Sequence, residues 1–219
     1  TPIPRTLYMS LLGIRELSLI KTPPIDRKSV QTYICKFERA IIYRAINYEL
    51  KRNGQVFLVV PKISDTVNVL QKVKSLLPNI KLGIAHGKLK TKEIEIVMEE
   101  FYNHKIDLLI STSIIEAGLD IPNANTLIVY KSDYFGLAQL HQLRGRIGRS
   151  KIKGYAYFSV EKNKITDNAT RRLKALKAMD KLGAGINLAS YDLDIRGAGN
   201  LLGEEQSGQI IQVGIELYQ

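Results

Sequence analysis

The sequence contains a single cysteine, Cys35, in 219 residues. One cysteine excludes an internal disulfide and is typical of a reducing compartment, so we expect a cytoplasmic protein. No apolar run has the length of a membrane span, and the first residues lack a signal-peptide pattern, so we expect no membrane partner. The three histidines are spread along the chain without Cys/His spacing, which predicts no metal site.

A phosphate-binding Walker loop is also missing. That loop requires G-x-x-x-x-G-K-[ST], so that backbone N–H groups, a lysine and a hydroxyl surround the phosphates and Mg²⁺. The nearest candidate, "GIAHGKL" at 83–89, has only three residues between Gly83 and Gly87, and Leu89 has no hydroxyl. No acidic pair suited to holding Mg²⁺ follows an apolar strand. We therefore expect no ATP hydrolysis by this chain alone.

Acidic residues are scarce in the first part of the chain. The net charge is +11, and residues 1–160 carry all of it, with 24 Lys and Arg against 13 Asp and Glu. Residues 161–219 hold eight of each sign. A localised basic excess indicates a polyanion partner such as nucleic acid or nucleotide phosphate, and a generic basic surface remains the alternative.

Short apolar runs alternate with amphipathic segments along residues 37–182. This alternation predicts an α/β fold, a parallel sheet with helices on both faces and right-handed crossovers. The expected strands are 56–60, 81–85, 107–111, 126–130 and 155–160, and the expected helices are 37–52, about 64–77, 91–102, 136–144 and 167–182. Ligands of such sheets bind beyond the carboxyl ends of the strands, which directs attention to the loops 61–64, 86–90, 112–123 and 131–136.

The two ends of the chain are expected to lie outside this sheet. Residues 1–35 hold four of the seven prolines and are predicted to be an irregular lead-in and linker. After the helix that ends near Gly183, the chain becomes rich in glycine and turn residues. The sequence starts at Thr1 without Met, and we expect it to be a fragment of a longer protein.

Four motifs occur in an order that resembles superfamily two helicases. "QLRGRIGR" at 142–149 resembles their motif VI, and "TSIIEAGLDIP" at 112–122 resembles motif V. "IAHGKLKTKEIEIVMEEF" at 84–101 resembles the segment between strands that carries His-Gly, and "TPIPRTL" at 1–7 resembles the end of motif III. The tail "DLDIRGAGNLLGEEQSG" at 192–208 resembles the translocation motif of RecG-type helicases and transcription-repair coupling factors, and is closer to the latter.

The resemblance implies three parts. Residues 1–35 would end the first helicase lobe, 36–165 would form a second RecA-like lobe, and 166–219 would form a helical hairpin and loop, the translocation motif. ATP would bind between the lobes, with its Walker loop and Mg²⁺ carboxylates supplied mainly by the missing first lobe. The whole protein would be an ATP-dependent double-stranded DNA translocase that displaces stalled RNA polymerase and recruits excision repair, through regions outside this chain.

The same resemblance assigns roles to particular residues. Arg149 is the first choice for an arginine finger and Arg146 the second, with Gln142 orienting the loop or the nucleotide. Gly118 and Asp120 would face the nucleotide, although Asp120 can instead cap the turn before Pro122. Arg144 would meet DNA phosphate or an acidic neighbour. Contacts to the DNA backbone are expected from His86, Gly87, Lys88, Thr112 and Ser113.

Arg196, Gly197 and Gln206 in the tail would couple lobe closure to movement along DNA, with a packed C-terminal excursion as the alternative. Most of the 11 tyrosines fall in helix and strand patterns. We expect them in the core, which favours tracking of the duplex backbone over base stacking. Two other functions stay open: a RecG-type motor that remodels forks, and a non-catalytic RecA-like module that binds nucleic acid.

Overall fold

The computed structural model describes residues 29–112, 123–148, 152–161 and 166–178. These residues form six strands, five α-helices and one 3₁₀ turn. The strands are β1 Gln31–Lys36, β2 Gln55–Val59, β3 Leu82–Ala85, β4 Leu108–Ser111, β5 Ala124–Val129 and β6 Tyr155–Val160. The helices are α1 Arg39–Lys51, α2 Ile63–Leu76, α3 Thr91–Tyr102, α4 Leu137–Arg144 and α5 Asp167–Ala178, and the 3₁₀ turn is Ser132–Tyr134.

All six strands join one parallel sheet in the order β1-β6-β5-β2-β4-β3. The predicted α/β fold is confirmed, and each of the five predicted strands is present within two residues of its expected bounds. Helix α3 begins and ends where it was predicted. The end of the helix predicted over 167–182 lies outside the described residues.

The core consists of two apolar clusters, one on each face of the sheet. In β2 the side chains alternate: Phe57 and Val59 belong to the cluster under α3, α4 and α5, whereas Val56 and Leu58 belong to the cluster under α1 and α2. All five β2 residues are buried. A strand buried on both faces is a nearly continuous apolar run, and this explains why "VFLVV" at 56–60 was recognisable from sequence. Gln55 is the polar exception, and its side chain donates to the Phe101 and Ile106 carbonyls.

The expectation that residues 1–35 are irregular is wrong in part. Strand β1 lies within the region predicted to be irregular, and the boundary drawn between residues 35 and 36 falls inside it. β1 joins the sheet because it pairs in parallel with β6 along its whole length. A short stretch of mixed polarity such as "QTYICK" does not predict this long-range contact. Helix α5 also belongs to the lobe, because Leu173 and Leu176 lie in its core.

A tight turn follows α1 at Asn53 and Gly54. Asn53 adopts φ of 57°, and the Gly54 N–H donates to the Glu49 carbonyl. The Glu49 carboxylate is fully buried beside this turn, where it accepts hydrogen bonds from Arg52 at 2.5 Å and from the Thr126 hydroxyl. Burial raises the pKa of Glu49, and its bonds to Arg52 and Thr126 oppose that shift.

Candidate functional site

Helix α4 contains the first residues of "QLRGRIGR" and packs against the core through Leu137, Leu140 and Leu143. At its start the Gly136 N–H donates to Gln139 Oε1 at 3.0 Å. The helix begins beyond the carboxyl end of β5 and returns along the sheet. The turn that follows it, residues 145–148, therefore lies at the amino-terminal edge.

Gly148 shows where this turn packs. It has φ of +67°, and a Cβ at this position would lie 2.8 Å from Val30 Cγ2. Gly154 is its other close neighbour, and Val30 and Gly154 directly precede β1 and β6. Both the backbone angle and the close approach require glycine here.

We call residues 145–148 the arginine turn. It lies at the amino-terminal edge of the sheet, whereas the sequence directed attention to loops at the carboxyl ends of strands. That rule describes the loop 86–90, which follows β3, but not the arginine turn. The reason is geometric: a helix that crosses back along a parallel sheet delivers its C-terminal residues to the opposite edge.

Arg144 is a buried residue, so its surroundings favour a structural role, and its predicted contact with DNA phosphate stays a prediction. Its side chain is 7% exposed. Its Nη1 donates to the Leu176 carbonyl at 2.7 Å and to the Thr32 hydroxyl at 3.3 Å. The guanidinium thus joins α4, α5 and β1, and little of the side chain is exposed to solvent.

Arg146 and Gln142 are both half-buried, at positions flanking the buried Arg144. The backbone N–H of Arg146 donates to the Leu143 carbonyl at 3.0 Å, and the next residue, Ile147, is fully buried. These anchors fix the backbone on both sides of Arg146 without enclosing its side chain. Arg149, the first choice for the finger, lies outside the described residues.

Motif V connects the two edges of the sheet. Thr112 follows β4 at the carboxyl edge, where its N–H donates to the Ala85 carbonyl at 3.2 Å. Asn123 is the next described residue and lies at the amino-terminal edge. Its carbonyl accepts a hydrogen bond of 2.8 Å from the Gln55 N–H. Ser113, Gly118 and Asp120 lie between these points and outside the described residues.

The structure brings together four residues predicted to contact DNA. His86, Gly87 and Lys88 form the turn after β3, closed by a 3.0 Å bond from the Leu89 N–H to the His86 carbonyl, and Thr112 lies beside this turn. Gly87 and Lys88 are exposed and His86 is half-buried. A Cβ on Gly87 would meet no atom within 4 Å. The local fold therefore does not require glycine, and the backbone is open to a ligand.

Two features of the carboxyl edge were not singled out from sequence. Lys62 lies over the Tyr134 ring at 5.5 Å, and Tyr134 is 57% exposed. Lys131 forms an ion pair with Asp65 at 3.0 Å, and this bond raises the pKa of Lys131. Both lie in loops that the strand pattern had indicated, 61–64 and 131–136, but their pairing depends on the order of strands.

Helix α5 braces α4 at both ends. Arg172 donates to the carbonyls of Phe135 at 3.0 Å and Asp133 at 3.2 Å, just before α4 begins. At the other end, Arg144 binds the Leu176 carbonyl. The chain leaves α5 at the edge that carries the arginine turn. Arg196, Gly197 and Gln206 lie further on and outside the described residues.

Within the residues that the structure describes, no group of three His, Cys, Asp or Glu side chains could hold a metal ion. No helix among them is long and apolar enough to cross a bilayer. Among these residues, the half-buried Arg146 is a candidate for contact with a nucleotide phosphate.

Comparison with known proteins gives consistent relatives. The whole chain is 52% identical to the transcription-repair-coupling factor of Rickettsia prowazekii (strain Madrid E) and covers 20% of it. It is 49% identical to the transcription-repair-coupling factor of Bacillus subtilis (strain 168) over its full length and covers 19% of that protein. The chain thus spans about a fifth of the length of the curated relatives it matches.

Comparison with solved structures also finds proteins of similar fold. The structure of RecG bound to a three-way DNA junction is similar with a TM-score of 0.75 and 36% identity, covering 91% of this chain and 27% of that one. S. cerevisiae Dbp5 bound to RNA and ADP BeF3 shares the fold, with a TM-score of 0.54, 21% identity, and coverage of 76% and 45%. Residues 38–151 match the family described as Helicase conserved C-terminal domain. The predicted resemblance to helicases is therefore confirmed, and the chain belongs to the helicase conserved C-terminal domain family.

Proposed function

We propose that this chain is the second motor lobe, with the translocation motif, of an ATP-dependent double-stranded DNA translocase that couples transcription to nucleotide excision repair. The observation that carries the proposal is the identity of about half of all residues, over the entire chain, to transcription-repair-coupling factors. The whole protein would displace a stalled RNA polymerase and act in the cytoplasm. RNA polymerase and the excision-repair proteins would bind regions outside this chain.

The amino-terminal edge is the proposed nucleotide face. Arg149, with Arg146 as the second candidate, would stabilise the negative charge that develops on the transferred phosphoryl group, and Gln142 would orient the loop. Such an arginine contributes about 10³–10⁵ in rate. Gly118 and Asp120 would complete this face. ATP supplies the phosphoryl group, and its Mg²⁺ would be held by the other lobe.

The carboxyl edge is the proposed DNA face. Gly87 and Lys88 are exposed beside Thr112, and backbone N–H groups, hydroxyls and lysines are groups that contact phosphodiesters. Ser113 would extend this set. Such contacts track the backbone without reading sequence, so duplex affinity would be nonspecific and strongly dependent on salt.

The two faces would be coupled through α4 and α5. Because α5 is bonded to α4 at both ends, a shift of the arginine turn on lobe closure would move the start of the segment that follows Ala178. Arg196, Gly197 and Gln206 would convert that shift into movement along the duplex.

The test is Arg149→Ala in the full-length protein. DNA-stimulated ATP hydrolysis should fall by at least about 10³, whereas affinity for nucleotide should stay within several-fold, since the lost contact belongs to the transition state. Arg39→Ala, which removes an exposed arginine on α1, is the matched control and should hydrolyse ATP normally. Normal turnover by Arg149→Ala would remove that residue from the finger role.

A RecG-type motor that remodels forks is the second candidate, favoured by the similarity to RecG on its junction. The two functions differ in their substrate. Displacement of a stalled RNA polymerase by the full-length protein supports the coupling function. Regression of model forks without polymerase displacement supports the RecG-type function.

A further inference from the structure

Among the described residues, one face of the sheet carries no helix over β6 and β1. On this face, helix α1 packs over β2 and β5. Tyr33 on β1 and Tyr157 on β6 point to this side and stack on each other, with centroids 5.1 Å apart and planes at 16°. Tyr33 is 39% exposed. The prediction that the tyrosines are core residues is therefore wrong here.

Helix α1 forms the other wall of a groove along this face, of about 610 Å³. Tyr43 and Tyr48 line it and are 40% and 53% exposed. We call this the tyrosine groove, and define it by Tyr33, Tyr43, Tyr48, Tyr157, Arg44 and Lys51. Burial raises the pKa of Tyr157 to about 12, so its phenol is uncharged at physiological pH.

The charge of the groove is positive. Arg44 and Lys51 line it, both are exposed, and no carboxylate does. In the described part of the chain neither takes part in an ion pair. A third cation, Arg52, is fixed next to the groove between the rings of Tyr48 and Tyr155, 5.1 Å from each centroid.

This combination fits single strands better than duplex. Bases of a single strand are unstacked and lie flat on aromatic rings that project from neighbouring strands of an open sheet face, with nearby cations on the phosphates. In a duplex the faces of the bases are hidden inside the stack, so a tyrosine platform has nothing to contact. An apolar protein segment would fill the groove but leave Arg44 and Lys51 without partners.

We propose that the tyrosine groove binds single-stranded nucleic acid, with bases stacked on Tyr33 and Tyr48 and phosphates on Arg44 and Lys51. This site lies on the sheet face that α1 covers in part, and it shares no residue with the arginine turn or with the His86–Lys88 turn. It goes beyond the proposed motor function, because a translocase that tracks duplex has no need of base stacking.

The experiment measures fluorescence anisotropy of labelled oligo-dT and oligo-U of roughly 12 nucleotides, a usual site size, with the full-length protein and no nucleotide. Tyr33→Leu combined with Tyr48→Leu should weaken binding at least about 30-fold, because each lost stack removes about 1–3 kcal/mol. Tyr33→Phe with Tyr48→Phe retains the rings and should bind as the unmodified protein does. Tyr102→Leu, which alters a 60% exposed tyrosine on α3, is the matched control.

The two probes distinguish the source of the strand. A loss with both supports a site for either nucleic acid, and a loss with one assigns the site to DNA or to RNA. Unchanged affinity for both probes, or equal losses in the Leu and Phe variants, would overturn the proposal. So would a Leu variant that keeps oligonucleotide affinity but loses a protein partner. Duplex-stimulated ATP hydrolysis, expected to be unchanged, reports on folding and separately on the motor function.

Discussion

At the scale of single residues, arginines within one six-residue segment, 144–149, have different environments where the structure describes them. Arg144 is enclosed by α5 and β1, Arg146 is half-buried beside it, and Arg149 follows a glycine that packs against Val30. All are arginines, so the extent of burial, and not the residue type, distinguishes their roles. A guanidinium that donates to a buried carbonyl stabilises the lobe, and one at the surface is available to a ligand.

Arg144→Met should lower the local stability of the lobe by about 2–3 kcal/mol, because the Leu176 carbonyl loses a charge-assisted donor in a buried place. Hydrogen exchange of the full-length protein measures this as faster exchange of the β1 and α5 amides. Arg39→Met, at an exposed position of the same residue type, should change exchange by less than about 0.5 kcal/mol. Equal protection in the Arg144 variant would show that the buried bonds contribute nothing.

At the scale of elements, the turn between α1 and β2 is fixed by the carboxylate beneath it. A Cβ on Gly54 would overlap the Glu49 side chain. Glu49 cannot withdraw without breaking its bonds to Arg52 and Thr126. The glycine is therefore required by close approach, since its φ is not positive.

Gly54→Ala should reduce the free energy of unfolding by about 2 kcal/mol, as in other overpacked sites. Gly87→Ala is the control, because its added methyl would meet no atom within 4 Å, and it should be nearly neutral. Urea unfolding of the chain followed by circular dichroism compares the two. A neutral Gly54→Ala would mean that Glu49 has another position to occupy.

At the scale of the whole molecule, the length of the sheet separates the proposed nucleotide face from the proposed DNA face. Strands of four to six residues place the carboxyl and amino-terminal edges about 13–20 Å apart. The edge with His86 and Thr112 presents backbone and lysine to a polyanion, whereas the other presents the arginine turn. Neither edge, in the described residues, has the phosphate loop and carboxylates that hydrolysis requires.

This chain alone should therefore show no DNA-stimulated ATP hydrolysis. Release of inorganic phosphate measures this, with the full-length protein as positive control under the same conditions. Turnover that remains with the chain through successive purification steps would contradict the proposal that the phosphate-binding lobe lies outside it.

The sequence by itself determined the buried strands, the helices and the helicase motifs, because apolar periodicity and glycine-arginine spacing are local. Only the tertiary structure decided which arginine is buried, that β1 joins the sheet, and that tyrosines line a groove. Each of these depends on which strands are neighbours. β1 is the end strand of the sheet, and Tyr33 on it has the sequence pattern of a core residue although it is 39% exposed. Arg144 is enclosed because α5 packs against β1, a contact between segments more than 130 residues apart.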